Sequence, residues 1–195
     1  MVSILEQVQN ANTYYYFVKD HNKIVCSTLR AGSVSMRDSL DVLSPNSKVI
    51  TLSKEQVLEK RQEGTHVLMW IRDPFERITS AYKLFKDAMT VEEFADEMLR
   101  ADNLHWMPQI EIHSYNGIFL PSRVYPFDRV AETWKEELSN YALQWNNKSK
   151  DTMEFGHFKA ELSKEKFKRI FLRWHTDYKL YSAVMQKLVL SDNYI

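Results

Sequence analysis

"VLMWIRDPFERITSAYKLF", residues 67–85, carries the sharpest boundary in the chain. An apolar run ends abruptly in Arg72-Asp73-Pro74, and a pattern with helical spacing begins. Asp73 suits a helix cap, Pro74 suits the first helical position, and Glu76 can complete a capping box. Phe75, Ile78, Tyr82 and Phe85 then recur on one face, so a buried strand over 66–71 is followed by a helix from Pro74 to about Lys86. Arg77 and Ser80 are three apart and share a different face. Capping accounts for Asp73 and Pro74 without any function. It leaves Arg72 unexplained: a charge at the carboxyl end of a buried strand, beside a helix N-terminus. The guanidinium fork there fits a phosphate-like anion bidentately, with the Ser80 hydroxyl as a second donor.

Working outward, the same alternation of strand and helix repeats upstream. "YYYFV" and "KIVCS" read as two short β segments around the polar turn Lys19–Asn22. A helix from Ser33 to about Val42 follows, then "KVITL" (48–52) as a second buried strand. Ser53 and Gln56 form a capping box for the next helix, which Gly64 ends. Three strand–helix units within about 65 residues indicate a parallel α/β sheet with right-handed crossovers, flanked by helices. Downstream, Thr90 caps a helix over 90–100 and residues 101–123 are irregular, the place for a substrate loop. "RVYPFD" (123–128) is a last strand that Pro126 weakens or places at an edge. "RVAETWKEELSNYAL" is an amphipathic helix, 144–157 is a loop, and 163–188 is helical with one break expected near His175-Thr176. The expectation is one α/β domain over residues 1–195, with a central parallel sheet of about four or five strands.

Composition narrows the function classes. Hydrophobic residues make up 44% and charged residues 27% of 195 residues, a soluble globular balance. Lys+Arg and Asp+Glu are both 26, so there is no bulk basic surface for nucleic acid, and any anion site is local. The single cysteine, Cys26, flanked by Ile24 and Val25, reads as a buried strand residue, and no Cys/His spacing suggests zinc. No run reaches the roughly 18 apolar residues of a membrane span, and the expected location is a reducing, cytoplasmic one.

A second anion seat lies in "STLRAGSVS", residues 27–35. This loop leaves a buried strand and enters a helix with Gly32 at the turn. Ligands of open α/β sheets bind at such carboxyl ends, where helix N-termini present free N–H groups. Arg30, Ser27, Thr28 and Ser33 add donors, although an ordinary βα loop is an equal reading of this stretch alone. It lacks the G-x-x-x-x-G-K-[ST] of a Walker loop. Two seats at neighbouring strand ends suit a ligand with two separated phosphate-like groups.

With these residues in place, the chain resembles the PAPS-dependent sulfotransferases, in particular their carbohydrate (Golgi glycan and chondroitin-like) branch. PAPS is 3′-phosphoadenosine 5′-phosphosulfate. "RDPFERITSAY" (72–82) matches the family's 3′-phosphate motif R-D-P-x-x-R-x-x-S-x-Y at every defined position, and "RAGS" (30–33) matches its 5′-phosphosulfate loop. "LHWMPQ" (104–109) is similar to the branch's H-W-x-P-Q segment, and "FLRWHTDYKLY" (171–181) to its late helix. The resemblance covers about residues 14–185. It implies a P-loop-type three-layer fold and PAPS as sulfuryl donor, without a metal. It also implies that Arg72 and Ser80 bind the 3′-phosphate, and that Thr28, Arg30, Ala31, Gly32, Ser33, Val34 and Ser35 line the 5′ end. The missing anchor and cysteines point to a soluble bacterial or viral relative.

The implied reaction is in-line transfer of the sulfuryl group to a hydroxyl of a carbohydrate acceptor. Arg30 would stabilise the leaving phosphate. His105 is the candidate general base, with Glu111 and His113 as alternatives in the same loop. His105, Trp106 and Gln109 would face the acceptor, with core packing the slightly favoured alternative for Trp106. His66, Asp177 and Tyr178 read as structural, and Lys148 or Ser149 could reach a phosphate from a solvated loop. A non-catalytic PAP- or glycan-binding relative remains a separate reading. A P-loop nucleotide kinase is a third, opposed by the absent Walker lysine.

Overall fold

The computed structural model describes residues 14–42, 48–144 and 155–186. The strands are β1 (Tyr14–Val18), β2 (Lys23–Ser27), β3 (Val49–Leu52), β4 (His66–Ile71), β5 (Ser114–Tyr115), β6 (Ile118–Phe119) and β7 (Arg123–Pro126). The helices are α1 (Ser33–Ser39), α2 (Lys54–Gln62), α3 (Pro74–Tyr82), α4 (Val91–Arg100), α5 (Gln109–Ile112), α6 (Val130–Glu137), α7 (Phe155–Ala160) and α8 (Lys164–Met185). Five strands form one sheet in the order β3-β1-β2-β4-β7.

The α/β class holds, but the sheet is mixed where a parallel one was expected. β2 pairs parallel with β4, and β4 with β7, whereas β1 pairs antiparallel with both β2 and β3. The reason is the length of the first connection. Parallel neighbours need a crossover of about a dozen residues or more. The Lys19–His21 turn closed by Asn22 at φ 48° is far shorter, so it makes a hairpin. β3 is correspondingly an edge strand: Val49 and Leu52 are buried, while Ile50 is 40% exposed. β7 forms the other edge, with Pro126 at its end opposite Ile71, a position where a missing N–H is tolerated.

Strand alternation builds cores on both faces. Tyr16, Val18, Val25, Leu68 and Trp70 pack with Met36, Val130 and Trp134 on the side of α1 and α6. Tyr15, Ile24, Cys26, Val67, Met69 and Ile71 pack with Val57 and Val184 on the side of α2 and α8. Cys26 is buried, as read, and burial pushes its thiol pKa up, so it is an inert packing residue. A third cluster joins Ile78, Tyr82 and Phe85 to Phe94, Trp106, Phe158, Ile170 and Trp174. It roots α3, α4, α7 and the loop after α4 against α8.

The caps mostly follow the sequence. Ser53 with Gln56 and Thr90 with Glu93 both form capping boxes. Asp73 Oδ1 accepts from the N–H groups of Phe75 (2.8 Å) and Glu76 (3.0 Å). Glu76 does not close a box, because its carboxylate turns toward Arg72 Nε at 3.4 Å. α3 stops at Tyr82, and α8 runs unbroken through His175 and Thr176. The irregular stretch 101–123 contains α5 and a small β5–β6 hairpin turning at Asn116 and Gly117, both at positive φ. Lys148 and Ser149 lie outside the described residues. Among the described residues no helix is long and apolar enough to cross a membrane.

Candidate functional site

The parallel pairing of β2 and β4 sets their carboxyl ends side by side, and the two arginine-bearing segments meet there. The loop after β2 turns through Thr28–Ala31, closed by the Ala31 N–H on the Thr28 carbonyl at 3.0 Å. Arg30 stands at φ 64° and Gly32 at φ 77°, so two left-handed residues redirect the chain into α1. Gly32 is needed on a second count. A Cβ there would lie 2.8 Å from the Phe127 ring. The close approach that glycine permits is therefore to Phe127, from the turn following β7.

Arg30 donates to the Ser80 hydroxyl through Nε (3.1 Å) and Nη2 (2.8 Å). Arg72 donates through Nη1 to the Arg30 carbonyl at 2.9 Å, and its guanidinium lies 5.9 Å from the Phe127 ring centroid. Arg77, 1% exposed, spreads its fork over three carbonyls: Leu29 (3.0 Å), Met107 (2.7 Å) and Leu104 (2.6 Å). It ties the first anion loop to the loop after α4. The two seats expected from sequence are thus one contiguous cluster, with Arg77 as the buried strut beneath it. Arg77 was legible only as a partner of Ser80 on a helix face.

The cluster is short of negative charge. Among the described residues Arg30 and Arg77 have no carboxylate in ion-pair range, and Arg72 has only Glu76 at 3.4 Å. Burial lowers the pKa of Arg30, and Arg72 beside it lowers it further. Burial brings Arg77 down to about 10, with Asp177 opposing and the other two arginines adding to the shift. Guanidinium groups held together with so little counter-charge are costly, and an arriving anion relieves that cost.

The loop residues divide clearly. His105 is half-buried, its backbone N–H held by Asn103 Oδ1 at 2.9 Å, and its Nδ1 is enclosed with no hydrogen-bond partner among the described residues. Burial, then Arg30 and Arg77, push its pKa down to about 4, so the ring is neutral at pH 7. Trp106 and Gln109, expected to face an acceptor, are instead 1% and 0% exposed. Trp106 packs between Phe85 and Phe94 and donates to the Ala101 carbonyl. The Gln109 amide clamps the Arg72 backbone, accepting from its N–H at 3.2 Å and donating to its carbonyl at 2.9 Å. Neither presents surface to a substrate.

Thr28 is also turned inward, 2.7 Å from His113 Nε2. The Tyr15 hydroxyl donates to the Ile112 carbonyl, so it accepts from His113 Nδ1 at 3.1 Å, and Thr28 must donate to Nε2. His113 is fully buried, with a pKa pushed down to about 3 chiefly by burial, and is inaccessible as a base. Ala31 and Ser35 are buried, whereas Gly32, Ser33 and Val34 keep partial exposure at the start of α1. His66 contacts Arg123 at 3.2 Å at the opposite end of the sheet. Among the described residues no cluster of His, Cys, Asp and Glu is arranged to hold a metal.

Comparison with protein-family models, curated proteins and solved structures returned no match.

Proposed function

We propose that the chain is a PAPS-dependent sulfotransferase acting on a hydroxyl of a carbohydrate acceptor. The observation that carries the reading is the Arg30–Ser80–Arg72 cluster at the ends of β2 and β4, cationic and short of counter-charge. Its residues fit a ligand with phosphate groups at both ends. Arg72 and Ser80 take the 3′-phosphate; Arg30 and the N–H groups at the start of α1 face the 5′ end. The P-loop-type architecture belongs to the same proposal. β2, β3, β4 and β7 share one direction, with the Gly32 loop between β2 and α1 as its anion loop.

Bound PAPS supplies an activated sulfuryl group, whose S–O bond to phosphate breaks as the acceptor oxygen forms its own bond to sulfur. The protein contributes position and charge. Arg30 meets the negative charge that develops on the leaving phosphate. His105, neutral and beside Arg30, takes the proton released by the acceptor hydroxyl. The test is transfer of labelled sulfate from PAPS across a panel of glycans. Transfer to a sugar hydroxyl supports the reading. Tight binding of PAP, the desulfated donor, without transfer to any acceptor replaces it with the non-catalytic binder.

A further inference from the structure

α8 grips the loop segment that leads to the anion site. Asp177, on its inner face and 0% exposed, accepts from the backbone N–H of Gln109 at 2.6 Å and of Ile110 at 2.9 Å. It thereby caps α5, which has no side-chain cap at Pro108. One turn earlier, Trp174 Nε1 donates to the Trp106 carbonyl at 2.7 Å. Both grips fall on residues 106–110. Gln109, also 0% exposed, extends the chain of bonds to the Arg72 N–H and carbonyl. Its amide does for Arg72 what a neighbouring strand would do just past the end of β4.

We propose that Asp177 is a positioning residue for the anion site, acting through Gln109 to fix the backbone from which the Arg72 guanidinium projects. The inference rests on the reading of Arg72 as the 3′-phosphate anchor. Arg72 follows the last strand residue, Ile71, so without the Gln109 clamp its peptide groups have no ladder partner. A buried carboxylate that accepts two backbone N–H bonds is also hard to replace by a neutral side chain. Asparagine at 177 offers one acceptor and brings a donor to face N–H groups.

The test uses Asp177→Asn and, because that variant risks misfolding, the volume-matched Gln109→Met, which leaves Asp177 and its backbone bonds in place. Two readouts are taken. The first is amide hydrogen exchange at Arg72, which needs no ligand. Protection should fall at least tenfold in both variants while the Val67 amide, bonded to the Ser122 hydroxyl near the start of β4, is unchanged; unchanged protection at Arg72 overturns the proposal. The second is affinity for PAP against AMP, which lacks the 3′-phosphate. PAP binding should weaken about tenfold with AMP binding held, so that discrimination is lost. Equal weakening of both ligands marks a merely structural role and also overturns it. If the wild-type protein shows no preference for PAP over AMP, the sulfotransferase reading fails, and the exchange readout still decides the clamp.

Discussion

Arg30 and Ser80, fifty residues apart, share one interaction: both Nε and Nη2 of the arginine converge on the serine hydroxyl, at 3.1 and 2.8 Å. This joins the loop after β2 to the last turn of α3 and makes the two anion seats interdependent. Ser80→Ala should therefore weaken PAP binding about tenfold, and Arg30→Ala about a hundredfold, as expected for hydrogen bonds to charged groups. Because the residues touch, the double variant should fall short of the product of the two effects by more than about twofold. Calorimetric titration measures this. Strict additivity would mean that each residue serves its own end of the ligand independently.

Arg72 differs from Arg30 in what it selects. Arg72→Ala should cost PAP about a hundredfold in affinity and leave AMP nearly unaffected. Arg72→Lys should recover little, because an ammonium cannot donate to the Arg30 carbonyl and present a fork to phosphate together. Full recovery with lysine would show that only charge is required.

His105 carries a pH prediction. Its pKa is pushed down to about 4 by burial and by Arg30 and Arg77, so it stays unprotonated and able to accept a proton across pH 5–8. The acid limb of kcat/KM assigned to this ring should fall near pH 4. His105→Ala should abolish transfer while leaving PAP affinity within about twofold. Unchanged transfer in that variant removes His105 from the chemistry.

His113 governs acid stability. Its pKa falls from the ordinary 6.5 to about 3 on folding, chiefly through burial, so the unfolded chain binds the proton first. The stabilisation is complete above pH 6.5 and is lost as pH falls toward 3. Between pH 5 and 6 each such histidine gives a slope of up to about 1.4 kcal/mol per pH unit, with stability rising with pH. His105 contributes in the same direction. Urea unfolding of His113→Gln should show a lower maximum, from lost bonds to Thr28 and Tyr15, and a slope reduced by about one histidine's share. An unaltered slope contradicts the assignment.

Gly32→Ala should destabilise by about 2 kcal/mol, combining a left-handed backbone with a Cβ driven into Phe127. Phe127→Leu in that background should restore part of the loss in thermal melts. No rescue would leave the backbone conformation as the whole cause.

Much of the fold was legible because local chemistry and tertiary context agreed. The boxes at Ser53 and Thr90, the start of α3 at Pro74 and the buried Cys26 all follow from short-range rules. Strand direction was not legible in the same way. The turn after Val18 was visible, but its shortness had to be weighed against the parallel pattern downstream. The β5–β6 hairpin had a local signal in Asn116-Gly117, the pair that favours tight hairpin turns, overshadowed by the irregular composition around it. At the site, Arg30, Arg72 and Ser80 stood out as polar residues at strand and helix ends. The inward turn of Trp106, Gln109 and Thr28 was hidden because it depends on partners distant in sequence: Phe85 for Trp106, Arg72 and Asp177 for Gln109, and His113 for Thr28.

The central claim is that the arginine cluster is built for a nucleotide with phosphates at both the 3′ and 5′ positions. Calorimetric titration with PAP and with ATP tests it most directly. The account predicts that PAP binds at least about a hundredfold more tightly than ATP, and that Arg72→Ala erases the difference. No binding of PAP, or equal binding of ATP by the wild-type protein, would contradict it.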